Sequence, residues 1–169
     1  LLPAGIALTI EPGVVVQFDE SLYMKVEGEL IAIGRDDAPI SFDASGESNW
    51  EGIKIRPSGG TVVDSENHYI SGTKFQYVTF THAYRALYIY DTGLLVSDAE
   101  FASNATAVEM IRSTNVVIDN CRFLNNSWGI YSPDLNFVNR AEGVRYGVIE
   151  NTYIQNSMFA QNSRGIEFY

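Results

Sequence analysis

The chain has 169 residues, 46% of them hydrophobic, with 21 acidic against 11 basic side chains and a formal charge of −10. Its length suits a single domain, residues 1–169. The charge excludes nucleic acid, whose phosphates require a basic surface, and disfavours a polyanionic substrate unless a cation bridges. The one cysteine, Cys121, excludes an internal disulfide.

In chain order, Leu8-Thr-Ile-Glu-Pro-Gly-Val-Val-Val-Gln-Phe18 reads as strand, Pro-Gly turn and strand. Residues 22–33 alternate through Leu22, Met24, Val26, Leu30 and Ile33, with Gly28 at a corner. Pro39-Ile40-Ser-Phe42 and Trp50-Glu-Gly52-Ile53-Lys-Ile55 supply further short strands. Two stretches break the rhythm as excursions. Residues 56–74 carry Gly60, Asp64 and His68; residues 133–150 carry Asp134, Arg140, Glu142 and Arg145. Insertions cost least in such surface loops, where function often sits. No apolar run is long enough to cross a membrane, and the start shows no signal-peptide pattern.

The second half is organised by a phrase, Phe-x-x-Asn-x-x-Gly-apolar. It reads Phe101…Asn104…Ala107-Val108, then Phe123…Asn126…Gly129-Ile130, then Phe159…Asn162…Gly165-Ile166. A weaker copy at Phe80 has Ala83 in place of the asparagine. The anchors lie about 21 residues apart, with about 14 inserted before the last. A fixed period of this size predicts a repeat architecture, each unit burying its apolar face against its neighbours. Alternation before each phenylalanine (Phe75 and Val78, Val96 and Ala99, Ile118 and Cys121, Ile154 and Ser157) and after each Gly/Ala marks half-buried strands. Two or three strands per period leave no room for a helix, so each strand pairs in parallel with its equivalent one coil away. Like then stacks on like. The reading predicts a phenylalanine ladder and an asparagine ladder of Asn104, Asn126 and Asn162, in which each amide both donates and accepts. The fold expected is all-β, a right-handed parallel β-helix of about seven coils, the handedness following the rule for parallel crossovers.

These residues resemble the right-handed β-helix repeat proteins, the pectin-lyase-like superfamily in its broad sense. The opening Leu-Thr-Ile-Glu-Pro-Gly-Val and Trp-Glu-Gly-Ile wording is similar to bacterial surface and secreted members. The resemblance implies an extracellular or cell-surface protein. It leaves activity open, because the superfamily holds lyases and hydrolases as well as non-catalytic surface proteins. Catalytic members usually have more coils, and the superfamily's catalytic signatures (Gly-His-Gly, paired aspartates, a lyase arginine motif) are absent from this sequence.

Candidate chemistry gathers on one outward column, Lys54, Tyr88, Glu109, Tyr131 and Glu167. Glu109 and Glu167 fall two coils apart, roughly 9–10 Å, at the wide edge of an inverting carboxylate pair. They are the candidate catalytic acid and base, although the column reads as exposed and glycoside chemistry needs a carboxyl kept protonated by burial. Asp98 and Asp119 are displaced by one position and should face different ways. The same column, as Tyr88, Tyr90, Tyr131 and Tyr169 with Trp128 and Lys54, would equally make an aromatic strip for carbohydrate. No metal ligand set is apparent: His68 and His82 stand apart, and Asp19-Glu20 and Asp36-Asp37 could hold calcium or simply be solvated turn residues. No other cofactor is implied. Cys121, at an inward position, reads as a packed thiol. Asn104 and Asn125 match the glycosylation sequon, Asn104 only by accident of its place in the ladder. The chain begins at a leucine and ends in strand-like sequence. The expectation is a piece of a longer β-helix or a subunit stacking end to end as a homo-oligomer. The function expected is structural or adhesive, with a polysaccharide lyase or glycoside hydrolase as the alternative.

Overall fold

A computed structural model describes residues 1–66, 68–133, 138–139, 144–145 and 150–168, with only backbone described at 138–139 and 144–145. Asp134, Arg140, Glu142 and Tyr169 therefore lie outside the described residues or side chains. Eighteen strands form three parallel sheets of six. The first sheet holds Ala7–Ile10, Glu29–Ile33, Lys74–Gln76, Leu94–Ser97, Val116–Asp119 and Tyr153–Gln155. The second holds Val15–Phe18, Ile40–Ala44, Val78–Thr81, Glu100–Ala102, Arg122–Leu124 and Met158–Ala160. The third holds Tyr23–Val26, Gly52–Ile55, Arg85–Tyr90, Thr106–Ile111, Trp128–Ser132 and Arg164–Phe168. The chain visits the sheets in that order and repeats, making six complete coils. Leu2, bridged to Val26, adds a fragment of a seventh.

Inward columns stack like on like. Phe42, Phe80, Phe101, Phe123 and Phe159 are consecutive partners in register. Their rings lie 4.5–5.1 Å apart and nearly parallel, and Phe75 meets Phe80 edge-on at 5.4 Å. The expected ladder is present and extends one coil further, to Phe42. Beside it runs the first sheet's aliphatic column through Val96, Ile118 and Ile154. Because each ring packs on its own coil and on the coils directly above and below, the rod is stabilised by nearest-neighbour contacts.

The asparagine ladder sits at the corner between the second and third sheets. Asn104 Nδ2 donates to Asn126 Oδ1, and Asn126 Nδ2 to Asn162 Oδ1, each at 3.0 Å. The same amides donate to Phe80 O, Phe101 O and Phe123 O one coil below. Ala83 ends the ladder because it has no amide. Its neighbour in the column is Trp50, fully buried, stacked on Phe18 at 4.4 Å and donating its indole N–H to Thr81 O. The corners are built by residues with left-handed backbone. Tyr77, Asp98, Asn120 and Asn156 stand three before each phenylalanine, and His82, Ser103, Asn125 and Gln161 two after, all with φ of +50° to +58°. Asn and Asp tolerate this region better than other non-glycine residues.

The first excursion leaves the third sheet through a short 3-10 turn, Pro57–Gly59, and forms an antiparallel hairpin of Val62–Val63 with Tyr69–Ser71. Its two feet are sewn into the rod. Buried Thr61 donates its hydroxyl to Thr73 O and accepts from Leu95 N, while buried Thr73 accepts from Leu30 N.

Candidate functional site

The outward column of the third sheet is in register as expected: Lys25, Lys54, Tyr88, Glu109, Tyr131 and Glu167 are successive partners. Its surroundings differ from an open aromatic strip. Tyr88 and Tyr90 lie 6.4 Å apart, and guanidinium groups share their surfaces. Arg56 stands 5.1 Å from the Tyr90 centroid, Arg112 4.7 Å from it, and Arg85 5.5 Å from that of Tyr88. A sugar stacking on these two rings would have to displace an arginine held by cation–π attraction. Trp128 and Tyr131 form a tilted pair at 5.7 Å, with Arg164 5.2 Å from the indole. Lys54 projects to Tyr23, 3.8 Å from its centroid.

The two candidate carboxylates have unlike environments. Glu109 is not exposed as the column pattern suggests; it is 9% exposed, shielded by its long neighbours, and its Oε2 lies 2.9 Å from Arg85 Nε. Burial raises its pKa above the ordinary carboxylate value and Arg85 pulls it back in part. Glu167 accepts from the Trp128 indole at 2.7 Å and from Arg164 at 2.6 Å. Tyr131 stands between the two in the column, so the structure brings them to one face but not into contact.

A raised pKa has a definite sign for stability. Protonated Glu109 is favoured by the fold, so its contribution is fully present below the unfolded-state pKa and is lost as pH rises through the folded one. Unfolding of wild type and Glu109→Gln in urea, across about pH 4 to 7, should therefore show wild type losing ground steadily to the variant as pH rises. Parallel pH curves would show that Arg85 compensates the burial in full.

A concave site lies elsewhere, on the outer face of the first sheet. A groove of ≈ 430 Å³ runs between that sheet and the first excursion. Leu95 and Val117 form an apolar floor, and Tyr69 and Tyr153 flank it. Lys74, Asp119, Gln155 and His68 offer polar groups around it. The excursion is fixed at its tip as well as its feet, because Asp64 Oδ1 accepts from the backbone N–H groups of Glu66 and His68. These bonds, the His68 one foremost, hold the Asp64 pKa below its usual value. Tyr69 donates its hydroxyl to Gly72 O at 2.8 Å, and Lys74 Nζ lies 5.3 Å from its ring centroid. Partial burial, with nearby Glu29, raises the Tyr69 pKa. Asp119 is held by Asn156 Nδ2 at 2.8 Å.

The excursion is legible in the sequence as a border of function, but of the groove residues only His68 and Asp119 stand out there. The tyrosines at 69 and 153 are 84 positions apart, and only the winding brings them to one face. A second groove, ≈ 480 Å³, crosses the first corner to the second sheet. Several of its polar groups are engaged with one another: Gln76 and Asn120 both donate to Asp98, and Arg122 pairs with Glu100. Asp98 and Asp119 do face different ways, one into each groove. Cys121 is buried, its thiol against Val96 O and Asp119 O, and burial pushes its pKa up to about 12. Such a thiol is a packing group and a poor nucleophile at neutral pH. Among the described residues no group of three or more His, Cys, Asp or Glu is placed to hold a metal ion. Nor is any helix among them long and apolar enough to cross a membrane.

Stacked parallel sheets with internal Phe and Asn ladders define a parallel β-helix. The family model described as right handed beta helix region matches residues 40–169, and the chain belongs to that family. Searches of curated proteins and of solved structures found no match.

Proposed function

We propose that this β-helix is a secreted or cell-surface protein with a structural or adhesive role, and that it holds carbohydrate in the first-sheet groove. One observation carries the reading: an apolar floor between Tyr69 and Tyr153, ringed by Lys74, Asp119 and Gln155. Sugar rings present apolar faces to aromatic side chains and hydroxyls to charged or amide groups, and this lining offers both. The Trp128–Tyr131 pair on the third sheet is the second carbohydrate candidate.

A panel of neutral and acidic glycans, read by calorimetry against wild type and the Tyr69→Ala/Tyr153→Ala pair, tests the assignment. Loss of two stacking rings should weaken binding at least about tenfold. Equal affinity in the double variant would remove the groove from the proposal, and no binding to any glycan would remove carbohydrate altogether.

A second reading has one observation in its favour. The buried Glu109, with its raised pKa, suits a general acid, and Glu167 two coils away suits a base. A polysaccharide-cleaving enzyme would release reducing ends or an unsaturated, ultraviolet-absorbing product from one of the same glycans. Absence of either product from all of them would sink it.

A further inference from the structure

We infer that the outer face of the third sheet is a self-complementary surface on which two copies of this chain pair with their rods antiparallel. The central column runs Lys25, Lys54, Tyr88, Glu109, Tyr131 and Glu167 in consecutive coils. It is polar along the rod, with both lysines at one end and both glutamates in the opposite half.

A two-fold axis lying in the interface along the strand direction reverses the coil order while each column faces its own copy. The first coil then meets the sixth, the second the fifth and the third the fourth. Lys25 faces Glu167 of the second copy, Lys54 faces Tyr131, and Tyr88 faces Glu109. Two of these pairs, each made twice by symmetry, are attractive, an ion pair and a cation over an aromatic ring; the third adds no contact between charges, because Glu109 is covered by its own Arg85. The alternative axis, along the rod, would set Lys25 on Lys25, Lys54 on Lys54 and Glu167 on Glu167. Like charges directly opposed are unfavourable, so the column selects the antiparallel arrangement.

Two further features of the face support an occupant. Most of its charges are already matched within the chain, Lys25 to Glu27, Lys54 to Glu51, Glu109 to Arg85 and Glu167 to Arg164, so docking buries little uncompensated charge. Its aromatic and arginine content, with Trp128 beside Tyr131, is the composition that concentrates binding energy at protein interfaces. Five strand spacings of roughly 4.8 Å make the face about 24 Å long. That is small for a specific interface, so the dimer is concentration-dependent.

The full chain should show a monomer–dimer equilibrium by sedimentation velocity. Lys25→Glu and Glu167→Lys each set like charges opposite one another at two places, and either should weaken the dimer about tenfold or more. Mixed in equal amounts, the two variants restore opposite charges at both places, and the heterodimer should recover wild-type affinity. That recovery also shows both variants to be folded. A wild type that stays monomeric at every concentration would overturn the inference, as would a mixture that associates no better than its components. Filaments in negative stain, indifferent to Lys25→Glu, would equally overturn it in favour of end-to-end stacking.

Discussion

Phe101→Ala should lower the free energy of unfolding by about 3–5 kcal/mol, among the largest effects of any single change in this chain. Phe101 is fully buried, with Phe80 and Phe123 stacked on its two sides at 4.9 Å each. Truncation removes two ring contacts and leaves a void between coils. Its neighbours cannot close that void without shortening the 4.7–4.9 Å spacing that the backbone ladders fix. Phe159 is a built-in comparison. It is only partly buried, and Phe123 at 4.5 Å is its one ladder neighbour among the described residues. Phe159→Ala should therefore cost visibly less, about 1–3 kcal/mol. Urea unfolding of the two variants side by side gives the contrast. If both cost the same, or Phe101→Ala costs under about 1 kcal/mol, the ring stack is not what holds adjacent coils together.

The period carried the fold into view because the coils are copies. Phe80, Phe101, Phe123 and Phe159 recur with the same alternation before them, and a parallel solenoid is the only way to stack such copies. The register of the column from Lys54 to Glu167 was legible for the same reason. What lies beyond one period was not. Trp50 holds the asparagine column's place with an indole, a substitution that no amide pattern announces. The left-handed corners at Asp98, Asn120 and Asn156 were readable in principle, at a constant three residues before each phenylalanine. Tyr77 and His82, unusual residues for that backbone, hid the rule in the weakest copy.

The candidate sites were harder because they depend on side-chain direction and on the excursion. Alternation placed Glu109 outward, yet it cannot say that Arg85 and Tyr88 lie across it and shield it. Neither can it say that Arg56 and Arg112 stand against Tyr90. Thr61 and Thr73 fix the excursion through hydroxyl bonds to Leu95 and Leu30, contacts spanning 34 and 43 residues. Those bonds hold the Tyr69 wall against a sheet whose other wall, Tyr153, comes three coils later. The three faces thus divide their work. The first sheet carries a concave groove, the second an Arg122–Glu100 pair beside the Asp98 corner, and the third a flat column polar along the rod.

Asn126 offers the sharpest test of the corner chemistry, because two substitutions there should differ in pH dependence and not merely in size. Its amide makes four hydrogen bonds, three of them buried. Oδ1 accepts from Asn104 N and Asn104 Nδ2, and Nδ2 donates to Phe101 O and Asn162 Oδ1. Alanine strands the Asn104 N–H without a partner at a site 2% exposed, and takes a second donor from the Phe101 carbonyl, which keeps its place in the parallel ladder. At about 1–3 kcal/mol for the orphaned N–H and about 1 kcal/mol for the other bonds lost, Asn126→Ala should cost about 2–4 kcal/mol at any pH. Aspartate keeps the acceptor toward Asn104 but turns the donor into a second oxygen facing two oxygens. As a carboxylate it repels both; protonated, it can donate to one. The fold therefore raises this carboxyl's pKa above the ordinary value of about 3.9. Its stabilising form is fully present below that value and is lost as pH rises through the folded pKa. Asn126→Asp should approach wild-type stability in acid and fall away towards neutrality, while Asn126→Ala stays a constant distance below wild type. Urea unfolding of all three proteins across that range decides the matter. Should the aspartate and alanine curves run parallel, the amide's donor side is dispensable, and the ladder works through its acceptor alone.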